Sequence, residues 1–362
     1  MKKLIALLLV LAMTLTLVAC ASDTPDPTET DPVAENTEAK TDDNTATDAP
    51  TEPEVEEVTL NIAYMPNWGA LWAIATAEAK GYFAEEGITL NYTVFDNGPN
   101  EIAAMESGSI DISYIGPGAH KLCSTGKAEV VLLQHLGDGD CIIGLNGIKT
   151  IEELRGKTIG YAAGTSSENI LLTALASVGM TIEDVNAVNM NASAMTTAAI
   201  AGKEVDAVAA WSPSSLTILE QAPDATDICS NVDFASLVSP GSWVVNPKWA
   251  DENEEVLVRF IRAMYKGMDY AASATTDDAV AEEVAGYIAK IIASDAETVL
   301  AQRYDGSWKT SAEILEMLGN GEVIRIYGDQ QATFIANGAV TAEEALTPET
   351  FVFTDLMLKA GE

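Results

Sequence analysis

From Val58 onward, apolar and polar positions follow a rhythm of short strands and helices. Val58-Thr59-Leu60-Asn61-Ile62-Ala63-Tyr64 alternates with the period of two that a half-buried strand requires, and Met65-Pro66-Asn67-Trp68-Gly69 interrupts it. The run 71–79 has helical spacing and meets Lys80-Gly81, where glycine suits the left-handed position beyond a helix end. The same reading predicts strands at 88–95, 110–115 and 130–136, with short helices at 100–107 and 119–124 between them. After Gly147 the rhythm restarts. A helical turn at 151–154 precedes strands at 158–162, 185–190 and 205–211, and helices open at Gly164-Thr165-Ser166-Ser167 and at Ala192. Beyond Trp243-Val244-Val245 helical spacing dominates, over 252–274, 277–293, 296–303 and 311–317. No repeat of 20–50 residues is visible. Strands alternating with helices predict an α/β protein with largely parallel sheets.

The chain before this rhythm reads as an address followed by a spacer. Met1-Lys2-Lys3 is basic, Leu4 to Val18 is nearly unbroken apolar sequence, and Leu17-Val18-Ala19-Cys20 places small residues before a cysteine. That is a secretory signal over 1–20, too short for a membrane span. Its end resembles the bacterial lipobox, which implies lipidation of Cys20 and an exported, membrane-tethered body. Residues 21–57 hold 13 acidic side chains, one lysine, eight threonines and five prolines, and no aromatic residue. Such a segment cannot bury enough apolar surface to offset chain entropy, so a disordered acidic linker is expected. As a flexible coil it would span about 33 Å.

Composition excludes some functions. With 19 Lys+Arg against 55 Asp+Glu, the formal charge is -36. A surface that acidic repels phosphate backbones, so no nucleic-acid partner is expected. Three cysteines follow Cys20, namely Cys123, Cys141 and Cys229. An odd number leaves at least one unpaired. Buried free thiols are favoured over a Cys123–Cys141 bridge. His120 with Cys123, and His135 near Cys141, match no strong zinc spacing, so neither a metal nor a cofactor is expected.

In open α/β sheets, ligands bind beyond the carboxyl ends of the strands. That rule singles out Met65 to Trp68, Gly116 to Gly118, Gly164 to Ser167, and Trp211 with Ser212. Thr165 and Glu168 fit a capping box, so hydroxyls and unsatisfied N–H groups gather at a helix start that suits an anion; a merely well-capped helix reads the same. Gly116-Pro117-Gly118 lets backbone amides approach a ligand, or forms a plain turn. Trp68 and Trp211 offer aromatic faces, or serve as core. Asn67 supplies a donor and an acceptor. Met65, Met105, Met190 and Met195 read as core filler. These loops contain no Lys or Arg, so a zwitterion or a neutral heterocycle, such as a pyrimidine vitamin precursor, stays open beside an anion.

Four segments together carry a resemblance. Ala77-Glu78-Ala79-Lys80-Gly81-Tyr82-Phe83-Ala84-Glu85-Glu86-Gly87-Ile88 is the first. Gly108-Ser109-Ile110-Asp111-Ile112 with Gly116-Pro117-Gly118 is the second, and Leu154-Arg155-Gly156-Lys157-Thr158-Ile159-Gly160 with Gly164-Thr165-Ser166-Ser167 the third. Ala201-Gly202-Lys203-Glu204-Val205-Asp206-Ala207 before Trp211-Ser212-Pro213 completes the set. In order and spacing these resemble the solute-binding proteins of ABC importers, in the nitrate/sulfonate/taurine branch. The resemblance covers Val58 to Ala272. It implies the two-lobed periplasmic-binding-protein fold of type II, an α/β architecture with ligand in the interlobe cleft. The first lobe would comprise 58–145 and 244–362, and the second 146–243. The crossings would lie near 143–147 and 238–245, where Gly144, Gly147, Pro240 and Gly241 could absorb hinge rotation.

The resemblance implies an extracytoplasmic receptor that captures a small organic solute and delivers it to membrane permease subunits. The candidate ligand-binding residues, picked by the strand-end rule and placed by the resemblance in the cleft, are Asn67, Trp68, Gly116, Pro117, Gly118, Thr165, Ser166, Ser167, Trp211 and Ser212. The protein is expected to be a monomer and not an enzyme. A tethered ligand sensor is the first alternative. An enzyme of pyrimidine or menaquinone synthesis on the same fold is the second, although neither a cluster of adjacent cysteines nor a G-x-S-x-G motif is present.

Overall fold

The computed structural model describes residues 56–362; the signal, Cys20 and nearly all of the acidic segment lie outside the described residues. Strands β1 (Val58–Tyr64), β2 (Ile88–Val94) and β3 (Ile112–Ile115) are joined by helices. β4 (Glu129–Gly137) follows, then β5 (Cys141–Gly144), β6 (Thr158–Tyr161), β7 (Asn186–Asn189), β8 (Ala207–Ala210) and β9 (Thr226–Ser230). β10 (Pro240–Val245) and β11 (Gly306–Trp308) complete the set. They form a six-stranded sheet ordered β11-β4-β10-β3-β1-β2 and a five-stranded sheet ordered β7-β6-β8-β5-β9.

The sheets are mixed, which corrects the expectation of largely parallel ones. β1 is parallel to β2 and β3, and β6 to β7 and β8, each pair joined through a helix. β5 runs antiparallel to β8 and β9, and β10 antiparallel to β3 and β4. β5 and β10 are the strands by which the chain enters one sheet directly from the other. Without a helical return they run against their neighbours. β5 also moves the first passage between sheets to the stretch after Gly137, ahead of the expected 143–147. Cys141-Ile142-Ile143-Gly144 is too short to show alternation and is buried on both faces, so it carries no strand period.

Helices cover both sheets. Trp68–Ala79 is apolar nearly all round because it is buried on several sides, and it crosses the long amphipathic helix Glu254–Ala271. At the crossing, a Cβ on Gly267 would lie 2.4 Å from the Ala73 carbonyl oxygen and 2.9 Å from the Ala77 Cβ, so glycine sets the helix separation. Arg259, 7% exposed, ties this helix to the edge of the first sheet by donating to the carbonyls of Glu56 and Glu86. The expected helix at 252–274 is present as Glu254–Ala271, and a short helix not expected, Pro247–Glu252, precedes it, the two separated at Asn253.

The C-terminal helices brace the first sheet. The Phe353 N–H donates to Val130, the Tyr265 hydroxyl to the Met357 carbonyl, and the Ser242 and Tyr327 hydroxyls meet at 2.6 Å. Glu322–Ala336, the second of these helices, was not read from the sequence; Gly321, at φ 79°, starts it without a side-chain cap. Cys123, Cys141 and Cys229 are buried free thiols. Among the described residues no helix is long and apolar enough to cross a membrane.

Candidate functional site

Loops from both sheets converge on a cavity of about 100 Å³. Strand direction explains the convergence. The carboxyl ends of β1, β3 and β4 bring Asn67, Gly116 with Pro117, and His135 with Gly137; those of β6 and β8 bring Thr165 with Ser166, and Trp211 with Ser212. Because β10 is antiparallel, its amino end lies there too and delivers Ser239. Asp140 stands in the passage between the sheets, while Gln302, Asp305 and Trp308 arrive from the segment around β11.

Three sequence-identified residues do not line this cavity, and each has another task. Trp68 is fully buried behind the wall, its ring 6.2 Å from that of Trp308, while its backbone N–H donates to Gln302 Oε1. Ser167 joins the ends of two strands: its hydroxyl accepts from Ala162 N–H and donates to the Ala209 carbonyl at 2.7 Å. Gly118 is where the two halves meet. A Cβ there would stand 2.0 Å from the carbonyl carbon of Thr165 and 2.5 Å from the nitrogen of Ser166. Lys121 adds an ion pair to Glu168 across the same junction at 2.9 Å.

That ion pair alters the expected capping box. Thr165 does cap helix Ser166–Ser177, accepting from the Ser167 N–H, but Glu168 turns to the Gly164 N–H and to Lys121 instead of the Thr165 backbone. At this helix start the protein also sets a carboxyl of its own, since Ser166 donates its hydroxyl to Asp140 Oδ1 at 2.5 Å. Asn67 commits its amide oxygen to capping Trp68–Ala79 through Ala70 N–H, which leaves its amide nitrogen as a donor.

The electrostatics come from residues that the sequence reading did not single out. Burial pushes the Asp140 carboxyl up to about 6 despite its bond from Ser166, and Asp305 adds to the rise. Asp305 is likewise pushed up to about 6 by burial, with Ser212 opposing and Asp138 reinforcing. Asp305 Oδ2 is buried without a protein partner. Burial lowers His135 to about 3, so it is neutral near pH 7; its Nε2 lies 3.4 Å from the Tyr114 hydroxyl and its buried Nδ1 has no protein partner. Tyr114, His135, Trp211 and Trp308 give the cavity an aromatic lining, and none of its lining residues is Lys or Arg. The strand-end rule applied to 130–136 would have found Gly137 to Asp140. Nothing in the sequence around Asp305 and Trp308, whose neighbourhood has helical spacing, points to a site.

Comparisons with known proteins agree on this architecture. A protein of Brucella abortus (strain 2308), named only as a binding protein, is 28% identical over 301 residues, covering 83% of this chain and 92% of the relative. The taurine-binding periplasmic protein of Escherichia coli is 25% identical over 191 residues, 52% of this chain and 59% of its own. The crystal structure of the periplasmic nitrate-binding protein NrtA from Synechocystis PCC 6803 superposes with a TM-score of 0.69 at 12% identity, covering 84% of this chain and 89% of that one. At that identity the likeness establishes the fold, which is the periplasmic-binding-protein fold. The profile of the NMT1/THI5-like family matches residues 70–276, more than half of the chain, and this protein belongs to that family.

Proposed function

We propose that this chain is the extracytoplasmic solute-binding component of an ABC importer, capturing a small organic molecule between two lobes and presenting it to permease subunits. The observation that carries this is the cavity itself, lined from the ends of two separate sheets and bordered by the Gly118–Thr165 contact and the Lys121–Glu168 pair. A ligand touching both halves favours the closed arrangement over an open one by its differential contacts. The lobes proposed here are built on the two sheets, and the passages after Gly137 and after Ser230 serve as hinges. Lipidation at Cys20 would tether a monomeric receptor to the outer face of the membrane. The names of its relatives, among them a taurine-binding periplasmic protein, support extracytoplasmic binding over catalysis.

The test is thermal unfolding of the purified full-length protein against alkanesulfonates, taurine, nitrate, amino acids, polyamines and pyrimidines. A ligand at 100 times its dissociation constant adds about 2.7 kcal/mol. The expected result is a raised midpoint with one chemical class and recovery of that ligand unchanged after incubation. Product formation, or no response across the panel, would overturn the reading.

A further inference from the structure

We infer that the cavity is built for a ligand bearing a protonated nitrogen, an amine, amidine or guanidine, held between Asp140 and Asp305. This rests on the reading of the chain as a solute receptor and names its substrate class. Both carboxylates line the cavity, one from the passage between the sheets and one from the segment before β11. Asp140 is 7% exposed. It is bonded by a neutral hydroxyl, Ser166, and not by a cation. Asp305 keeps a buried oxygen without a protein partner.

The nearby cations are engaged elsewhere. Lys121 is paired with Glu168 and Arg303 with Asp278, while Lys309 acts on Asp138. Neutral His135 contributes no charge at pH 7. Carboxylates removed from water demand a counter-charge, and a closed cleft lacking one from the protein selects a ligand that brings it. The aromatic lining reinforces the choice, because ring faces attract cations and do not attract sulfonates. At the helix start contributed by Thr165 and Ser166, the Ser166 hydroxyl already bonds Asp140, which places a carboxyl of the protein where an anion would approach.

Charge-matched sets test this without any variant: benzamidine, benzamide and benzoate, then butylamine, butanol and butanesulfonate, each titrated into the full-length protein at pH 7.5. The inference expects the cationic member of a set to raise the unfolding midpoint and the neutral and anionic members to leave it unchanged. Asp140→Asn and Asp305→Asn should each weaken the bound cation at least about 30-fold, the lower range for truncating one partner of a buried charge pair. Each should also unfold no earlier than the wild type in the absence of ligand, since an uncompensated buried charge has gone. That readout separates a lost contact from a damaged fold. Binding of benzoate, butanesulfonate or a neutral member, with no response to the cations, would overturn the inference and leave the receptor reading standing. Silence from these sets and from the broader panel would overturn both.

Discussion

Replacing Gly118 by alanine should separate closure of the cleft from stability of the fold. The new Cβ would lie 2.0 Å from the Thr165 carbonyl carbon and 2.3 Å from its oxygen, whereas ordinary contact begins at 3.4 Å. The halves must therefore part by about 3.4 - 2.0 = 1.4 Å at this point. The atoms met are backbone at the start of helix Ser166–Ser177, which Ser167 fastens to the ends of β6 and β8, so local yielding is blocked. Overpacking of this kind costs about 1–3 kcal/mol. Here the cost falls on the closed arrangement alone, because opening the cleft relieves it without disturbing either hydrophobic core. Ligand affinity should drop by about 5-fold to 150-fold, following about 1.4 kcal/mol per tenfold. The unfolding midpoint without ligand should stay nearly unchanged. Isothermal titration of the best ligand from the panel, beside thermal unfolding of the unliganded variant, measures both. Affinity within twofold of wild type would refute the reasoning, as would a midpoint lowered by the full overpacking cost.

Other outcomes follow from the same geometry. Gly267→Ala makes the complementary case: its Cβ meets Ala73 and Ala77 inside one core, and this clash outweighs the roughly 1 kcal/mol gained from helix propensity, so the variant should unfold earlier with ligand affinity preserved. Ser167→Ala should destabilise by about 1–3 kcal/mol in urea unfolding, because the buried Ala162 N–H and Ala209 carbonyl lose their partner. Lys121→Ala should weaken ligand binding by no more than about fivefold, since a partly exposed ion pair contributes at most about 1 kcal/mol. Asp140 and Asp305 titrate near 6 in the folded chain, above their ordinary 3.8, so the folded state holds more protons between those values. The contribution of these two groups to unliganded stability should thus fall as pH rises from about 4 to 6, so the fall is steeper in wild type than in the Asp140→Asn, Asp305→Asn double variant, a comparison that cancels other carboxyls raised by burial, Glu101 and Glu129 among them. Binding of a cationic ligand should run the other way, full above pH 6 and lost below it.

The rhythm from β1 to β4 and from β6 to β8 was legible because those strands are joined through helices whose spacing and end signals bracket even the short, fully buried β3 and β8. The strand-end rule then reached Asn67, Gly116, Pro117, Thr165, Ser166, Trp211 and Ser212, all of which line the cavity. Position beside a strand end did not say which way a side chain turns. Trp68 and Trp211 look alike in sequence, yet one packs behind Trp308 and the other faces the cavity, a difference set by the neighbouring helices and sheet. β5 escaped notice because it is short and buried on both faces and so carries no period, and β9 and β11 because they are short, partly exposed edge strands without clear alternation. The chain's own residue order determined which segments pair locally, its helix starts and stops, and the loops that can meet a ligand. Only the tertiary structure decided the rest. It placed Gly118 against Thr165, and it brought Asp305 from far along the chain to face Asp140 in a cavity without a cation, because burial and partner are properties of packed neighbours and not of sequence spacing.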